Sequence, residues 1–156
     1  MKIRLRNFRQ DDFETLWKID QQCFVPGISY SRLELKFYIT RPAAFTLVAE
    51  NSPPELAPET LGFIVAEANR KQAGHIITID VLPQARRFGV GSMLLTTAEE
   101  QLRNANCEYV TLEAAVDNPP ALSFYKKHGY FVVKTERRYY SNGVDAFVLR
   151  KELRAP

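Results

Sequence analysis

The sequence predicts an α/β domain with a central mixed sheet covered by helices on both faces. Three observations carry this. Strand-like and helix-like apolar patterns follow one another in the order β-α-α-β-β-β-α-β-α-β-β. A length of 156 residues suits one domain over 1–156, since a domain takes roughly 150 residues. The proline-rich stretch from Asn51 to Thr60 separates two strand candidates and reads as a hairpin loop, not a linker.

Lys2 to Arg6 alternates basic side chains with Ile3 and Leu5, as a half-buried first strand does. Asp11 or Asp12 can cap a helix whose Phe13, Leu16, Trp17 and Asp20/Cys23 spacing is mostly helical. A turn at Pro26-Gly27 precedes a second helix, with Ser31 as its N-cap and Leu33, Phe37 and Tyr38 as its apolar positions. Pro42 ends that region. Strands follow over Phe45 to Glu50, Leu61 to Ala68 and Gly74 to Val81, the last stopped by Pro83. From Gly91 to Asn104, Leu94, Leu95, Ala98 and Leu102 share one helix face. Glu108 to Val116 returns to strand, and Pro120 to His128 is helix, closed by Gly129. Phe131 to Tyr140 and Val144 to Leu153 pattern as two strands about a turn at Ser141-Asn142-Gly143.

Composition excludes more than it selects. Twenty-one basic against 18 acidic residues leave a net charge of +3, which suits an anionic small ligand better than a nucleic acid. No apolar run approaches the ~18 residues of a membrane span, and the charged N-terminus lacks a signal-peptide core. Cys23 and Cys107 are too few for a metal cage or a disulfide framework, and reduced thiols suit a cytoplasmic protein. His75 and His128 have no spacing suited to a metal or a triad, so both read as structural, and no metal is expected.

The turn Val81-Leu-Pro-Gln-Ala-Arg86-Arg87-Phe88-Gly89-Val90-Gly91-Ser92 lies between strand and helix. Gly89 and Gly91 let a ligand approach the backbone, and the first amides of the helix are unpaired and prefer an anion. Arg86 and Arg87 add charge there, so a pyrophosphate is the natural occupant. No G-K-[S/T] follows, so this is not a nucleotide-triphosphate loop, and the third glycine of a dinucleotide fingerprint is missing.

Arg86-x-x-Gly89-x-Gly91 resembles the acetyl-CoA signature R/Q-x-x-G-x-G/A of the GNAT N-acetyltransferases. Leu112-Glu113, Asn118, Ala121, Phe124-Tyr125, Gly129-Tyr130 and Tyr139-Tyr140 are similar to further elements of one branch, the RimI-type ribosomal-protein alanine N-acetyltransferases and related protein N-terminal acetyltransferases. The resemblance spans nearly the whole chain and is strong from Ile79 to Tyr140. It implies a mixed, mostly antiparallel sheet and acetyl transfer from acetyl-CoA to an amine.

The resemblance also implies roles. Main-chain groups of Ile79, Asp80 and Val81 hold the pantetheine arm, with the Val81 N–H on the thioester carbonyl. Arg86 and the amides of Arg87, Phe88, Gly89, Val90, Gly91 and Ser92 take the pyrophosphate, and Asn118 bonds the pantetheine chain or caps the next helix. Tyr125, twelve residues after Glu113, gives its proton to the CoA sulfur; a phenol near ~10 can serve a thiolate near ~8.5. Glu113, a carboxylate in an apolar strand, is the general base, acting directly or through a water. The family's arginine two positions on is Ala115 here, which removes one possible substrate contact. Tyr139 and Tyr140 resemble the tyrosine pair at the peptide entrance, of which alternation puts one ring in the groove. Tyr30 is a candidate for the opposite wall.

An α-amine titrates near ~7.7–8.0 and a lysine near ~10.4, so one carboxylate deprotonates the former far more readily. A protein or peptide N-terminus, a ribosomal protein among the candidates, therefore ranks ahead of a small-molecule amine and an internal lysine. A non-catalytic acetyl-CoA sensor is the competing class, and it needs neither Glu113 nor Tyr125.

Overall fold

The computed structural model describes residues 1–154. Strands β1 (Ile3–Asn7), β2 (Ala44–Asn51), β3 (Glu59–Ala68), β4 (Ala73–Val81), β5 (Tyr109–Ala115), β6 (Phe131–Glu136) and β7 (Ala146–Glu152) form one seven-stranded sheet. Helices α1 (Phe13–Cys23), α2 (Arg32–Ile39), α3 (Val90–Asn104) and α4 (Pro119–Lys127) complete the order the sequence predicts. The sheet runs β1-β2-β3-β4-β5-β7-β6, antiparallel everywhere except between β4 and β5.

Helices cover both faces. Asp80 packs toward Asp20 of α1, whereas the adjacent Val81 lies against Gly91 of α3. Neighbouring strand residues point to opposite faces, so α1 and α3 sit on opposite sides of β4. The face of α3 formed by Val90, Leu94, Leu95, Ala98 and Leu102 is buried, as its spacing predicts. Each buried leucine there stabilises the fold by about 1.5–3 kcal/mol. Buried Glu99 on the same helix is neutralised by Lys151 Nζ at 2.9 Å and accepts from the Tyr130 hydroxyl at 2.7 Å.

Several local expectations change. Asp12 does not cap α1; its carboxylate accepts from the Arg9 amide and from Arg6, closing the short 3-10 turn ahead of the helix. Ser31 does cap α2, in a reciprocal box with Glu34. The buried position of α2 is Leu35, while Leu33 and Phe37 are exposed, because this short helix packs on β2 and leaves its other faces to solvent. Trp17 is only half-buried; its indole donates to the Tyr30 carbonyl at 3.1 Å and Arg32 stacks on the ring. The last hairpin is not tight: β6 stops at Glu136 and β7 starts at Ala146. The segment between them is drawn off the sheet by contacts with the α1–α2 loop.

Two irregularities shape the centre. Residues 78–81 of β4 pair with β3 in one register and 74–76 in another, so Ile77 is an extra residue without a partner on β3. Strands β4 and β5 pair only at Ala73↔Tyr109, Gly74↔Val110 and His75↔Thr111. Beyond His75 the two parallel strands diverge.

Candidate active site

That divergence opens a wedge. Ile76 to Ile79 on one side and Leu112 to Ala115 on the other line a cavity of about 290 Å³. Strand backbone facing a gap has donors and acceptors free for an extended ligand. Ile79 lines the wedge directly, and Asp80 and Val81 continue the same strand toward the glycine turn. The Asp80 side chain points away, into the core beneath α1.

At the end of β4 the chain turns through Pro83–Ala85 into α3. Arg87 and Gly89 both have positive φ, 71° and 81°. A Cβ on Gly89 would meet nothing within 4 Å, so the backbone angle, not space, selects glycine there. The first helical bond runs from the Met93 amide to the Gly89 carbonyl at 3.0 Å. The amides of Arg87, Phe88, Gly89, Val90, Gly91 and Ser92 precede it and have no carbonyl partner. They form an anion cradle at the positive end of α3. Arg86 does less there than its charge suggests: its Nε donates to the Val81 carbonyl at 3.1 Å and braces the turn. The Ser92 hydroxyl meets His128 Nε2 at 2.9 Å.

Asn118 and Tyr125 border the cavity from α4. Asn118 Oδ1 accepts from the Ala121 amide at 3.3 Å, so the capping role is realised and the side-chain nitrogen is left over. Tyr125 is buried, and burial pushes its phenol above the ordinary range, so it stays protonated at neutral pH.

Glu113 lies across the cavity on β5 with two partners. Its Oε1 is 2.7 Å from His75 Nε2 and accepts from the Tyr139 hydroxyl at 3.2 Å. His75, which the sequence reading sets aside as structural, is therefore the nearest polar neighbour of the carboxylate. Nothing in the sequence links the two residues: only with β4 and β5 adjacent and parallel does His75 sit opposite Thr111, two residues before Glu113. Tyr140 lines the cavity and Tyr139 reaches Glu113 from the rim; both are used, one as wall and one as donor. Burial and the nearby Glu113 charge push the Tyr140 phenol up to about 12, and the same causes raise Tyr139.

Tyr30 forms the facing wall. Its hydroxyl donates to the carbonyl of Ile77, the bulged residue of β4, at 3.3 Å. Its amide donates to Asp20 at 2.7 Å, and its carbonyl accepts from Trp17 and Gln21. Above it, the α1–α2 loop touches the β6–β7 loop. The Ser141 amide and hydroxyl both donate to the Gly27 carbonyl, at 3.2 and 3.1 Å. A Cβ on Gly27 would lie 2.6 Å from Asn142 Cβ, so the two loops meet only because this residue is glycine.

A parallel pair splayed beside an amide-lined turn suits an extended ligand with an anionic end. That is the layout of a coenzyme A-dependent acyltransferase. The model of the acetyltransferase (GNAT) family matches residues 11–130, and the chain belongs to that family. It is an acyltransferase that uses acetyl-CoA. Among relatives, an N-alpha-acetyltransferase of Sulfurisphaera tokodaii is 34% identical over 97% of this chain and 94% of its own. Ard1 from Thermoplasma volcanium superposes with a TM-score of 0.87 at 25% identity, covering 99% of this chain and all of that one. The ribosomal-protein-S18-alanine N-acetyltransferase of Escherichia coli has a TM-score of 0.83 over 99% of this chain and 96% of its own; at 16% identity it speaks for the fold alone. No helix among the described residues is long and apolar enough to cross a membrane.

Proposed function

We propose that the chain acetylates the α-amine of a peptide or protein N-terminus. The observation that carries this reading is Glu113, held by His75 and Tyr139 on one wall of the cavity, facing Tyr125 on the other. The S. tokodaii relative, named an N-alpha-acetyltransferase, supports the choice of amine. An α-amine needs little help to lose its proton, and one carboxylate braced by two neighbours supplies it.

In this reading the pantetheine arm lies in the wedge along Ile79, Asp80 and Val81, Asn118 bonds it, and the amides after Arg86 take the pyrophosphate. The acceptor enters between Tyr30 on one side and Tyr139 and Tyr140 on the other, beneath the Gly27–Ser141 contact. Its nitrogen attacks the thioester carbon; the C–N bond forms and the C–S bond breaks. Before the attack one ammonium proton passes to Glu113 and on to solvent; as the C–S bond breaks Tyr125 protonates the departing thiolate, and the second proton lost by the nitrogen returns to the Tyr125 phenolate. A main-chain donor from Val81 stabilises the oxyanion between those steps.

The test is thiol release from acetyl-CoA with Ala-, Ser- and Met-starting peptides, one ribosomal-protein N-terminus, free lysine side chains and common polyamines. The expected result is turnover with one or more N-terminal sequences and an acetyl group located on the α-amine by mass spectrometry. Turnover confined to lysine or polyamines overturns the choice of amine. Tight CoA binding without turnover on any amine supports the sensor reading instead.

A further inference from the structure

Two carboxyl groups lie buried between α1 and β4 outside the catalytic roles assigned above. Asp20 and Asp80 are fully or almost fully buried, and each is within hydrogen-bonding reach of the other. Their outer oxygens are satisfied: Asp20 Oδ2 accepts from the Tyr30 amide at 2.7 Å, and Asp80 Oδ1 accepts from the Thr78 hydroxyl at 2.5 Å. Asp20 Oδ1 and Asp80 Oδ2 meet no donor from any other residue. Two ionised carboxylates in that arrangement would repel at close range in a dry site. A single proton between the two orphaned oxygens removes one charge and satisfies both atoms.

We infer that Asp20 and Asp80 are a positioning pair that shares one proton, tying the acceptor-wall residue Tyr30 to the strand that carries the acetyl-CoA arm. Titratable and charged groups face the pair from every side: Cys23 on α1, Tyr30 before α2, Glu34 on α2, Arg86 after β4 and Tyr125 on α4. Arg86 is the one cation among them, and its guanidinium is exposed and engaged with the Val81 carbonyl. It cannot neutralise two buried anions, and Glu34 adds to the negative field. Burial raises both carboxyls above the ordinary range, consistent with a retained proton.

A carboxyl protonated in the folded state and ionised in the unfolded chain stabilises the fold below its unfolded value of ~3.9 and loses that stabilisation as pH rises through the raised folded value. Asp20→Asn and Asp80→Asn each replace the shared proton with a permanent amide donor. The double variant sets two amide NH2 groups against each other and leaves a buried donor without an acceptor whichever way they turn.

Thermal unfolding midpoints measured from about pH 5 to about pH 9 test the pair. The expected result is that the wild-type midpoint falls relative to both single variants as pH rises, and that the double variant is less stable than either single one. Parallel wild-type and single-variant curves overturn the shared proton, and a double variant equal to or more stable than the singles overturns the face-to-face placement of the two inner atoms on which the pair depends. If neither single variant folds, 13Cγ titration of Asp20 and Asp80 in the unaltered protein decides: one carboxyl still protonated above about pH 7 supports the pair, and two ionised signals there overturn it. The kinetic arm rests on Tyr30 walling the acceptor groove. There, acceptor KM of the wild type rises at alkaline pH while acetyl-CoA KM does not, and Asp20→Asn removes that rise. A wild-type rise that persists in Asp20→Asn overturns the link to Tyr30, while the thermal result stands apart from the proposed substrate.

Discussion

His75 Nε2 lies 2.7 Å from Glu113 Oε1, across the last rung where β4 and β5 still pair. The rung is where the wedge begins, so the contact fixes the carboxylate at the closed end of the cavity. Tyr139 completes the clamp from the segment between β6 and β7. Glu113→Gln is expected to lower kcat by about 10²-fold or more, the scale of a lost general base. His75→Ala should lower kcat by a smaller factor and leave acetyl-CoA KM unchanged. Steady-state kinetics with a turned-over peptide read both. Unaltered kcat in Glu113→Gln removes the carboxylate from the mechanism.

Tyr125 is buried beside the cavity with its proton held by desolvation. Tyr125→Phe keeps the ring packing against Phe124 and Tyr130 and deletes only the hydroxyl. We expect kcat to fall by about 10²-fold with acetyl-CoA binding preserved by calorimetry. Wild-type turnover in this variant would mean another group protonates the sulfur.

The turn proposed to hold the pyrophosphate depends on one backbone angle. Gly89→Ala introduces no clash, since the space around it is open, but places a Cβ at φ 81°. That conformation costs an alanine about 1–2 kcal/mol. Acetyl-CoA KM should rise by up to about tenfold, the equivalent of 1.4 kcal/mol, with acceptor KM unchanged.

Gly27 is a different case, because both the angle (φ 92°) and the space are restrictive. Gly27→Ala drives a methyl group into Asn142 and parts the two loops that roof the proposed acceptor entrance. Overpacking of this kind costs about 1–3 kcal/mol. Acceptor KM should rise while acetyl-CoA KM holds; a change confined to acetyl-CoA would place the acceptor elsewhere.

Acid sensitivity has a separate source at the sheet edge. Arg6 binds Asp12 through two 2.8 Å bonds and Glu50 through one of 3.0 Å. The Arg6 hydrogen bonds hold the Asp12 carboxyl below its ordinary value. For Glu50, burial pushes upward but bonds from Arg4 and Arg6 outweigh it, and the net shift is down. Carboxyls lowered in the folded state stabilise it above their unfolded values of ~3.9–4.3 and cease to do so as pH falls through the folded values. Arg6→Met should cost about 3 kcal/mol at neutral pH, and the gap to wild type should close on acidification in chemical unfolding curves.

Local pattern was enough for the elements themselves. The alternation of Ile3 and Leu5, the Leu94–Leu95–Ala98–Leu102 face, the Ser31 cap and the Gly89 turn each depend on residues within a few positions of one another. Propensity and hydrogen-bond periodicity act on that scale, and the element order came out as predicted. Family motifs carried the reading from there to Glu113, Tyr125 and the amide cradle.

What packing alone decided is how distant segments meet. His75 and Glu113 are 38 residues apart, and Ser141 and Gly27 are 114 apart. No periodicity links such pairs; they meet because β4 and β5 pair for three rungs and then part, and because two loops close over the opening. The hairpin signal at Ser141-Asn142-Gly143 was overridden for the same reason, since contacts with Gly27 hold that segment off the sheet. Even the bulge at Ile77 has meaning only in three dimensions, where it presents a carbonyl to Tyr30 and reverses which side chains of β4 face α1. The sequence by itself determined the elements and the family; the tertiary structure determined which side chains touch, because such contacts join residues too far apart for local pattern to link.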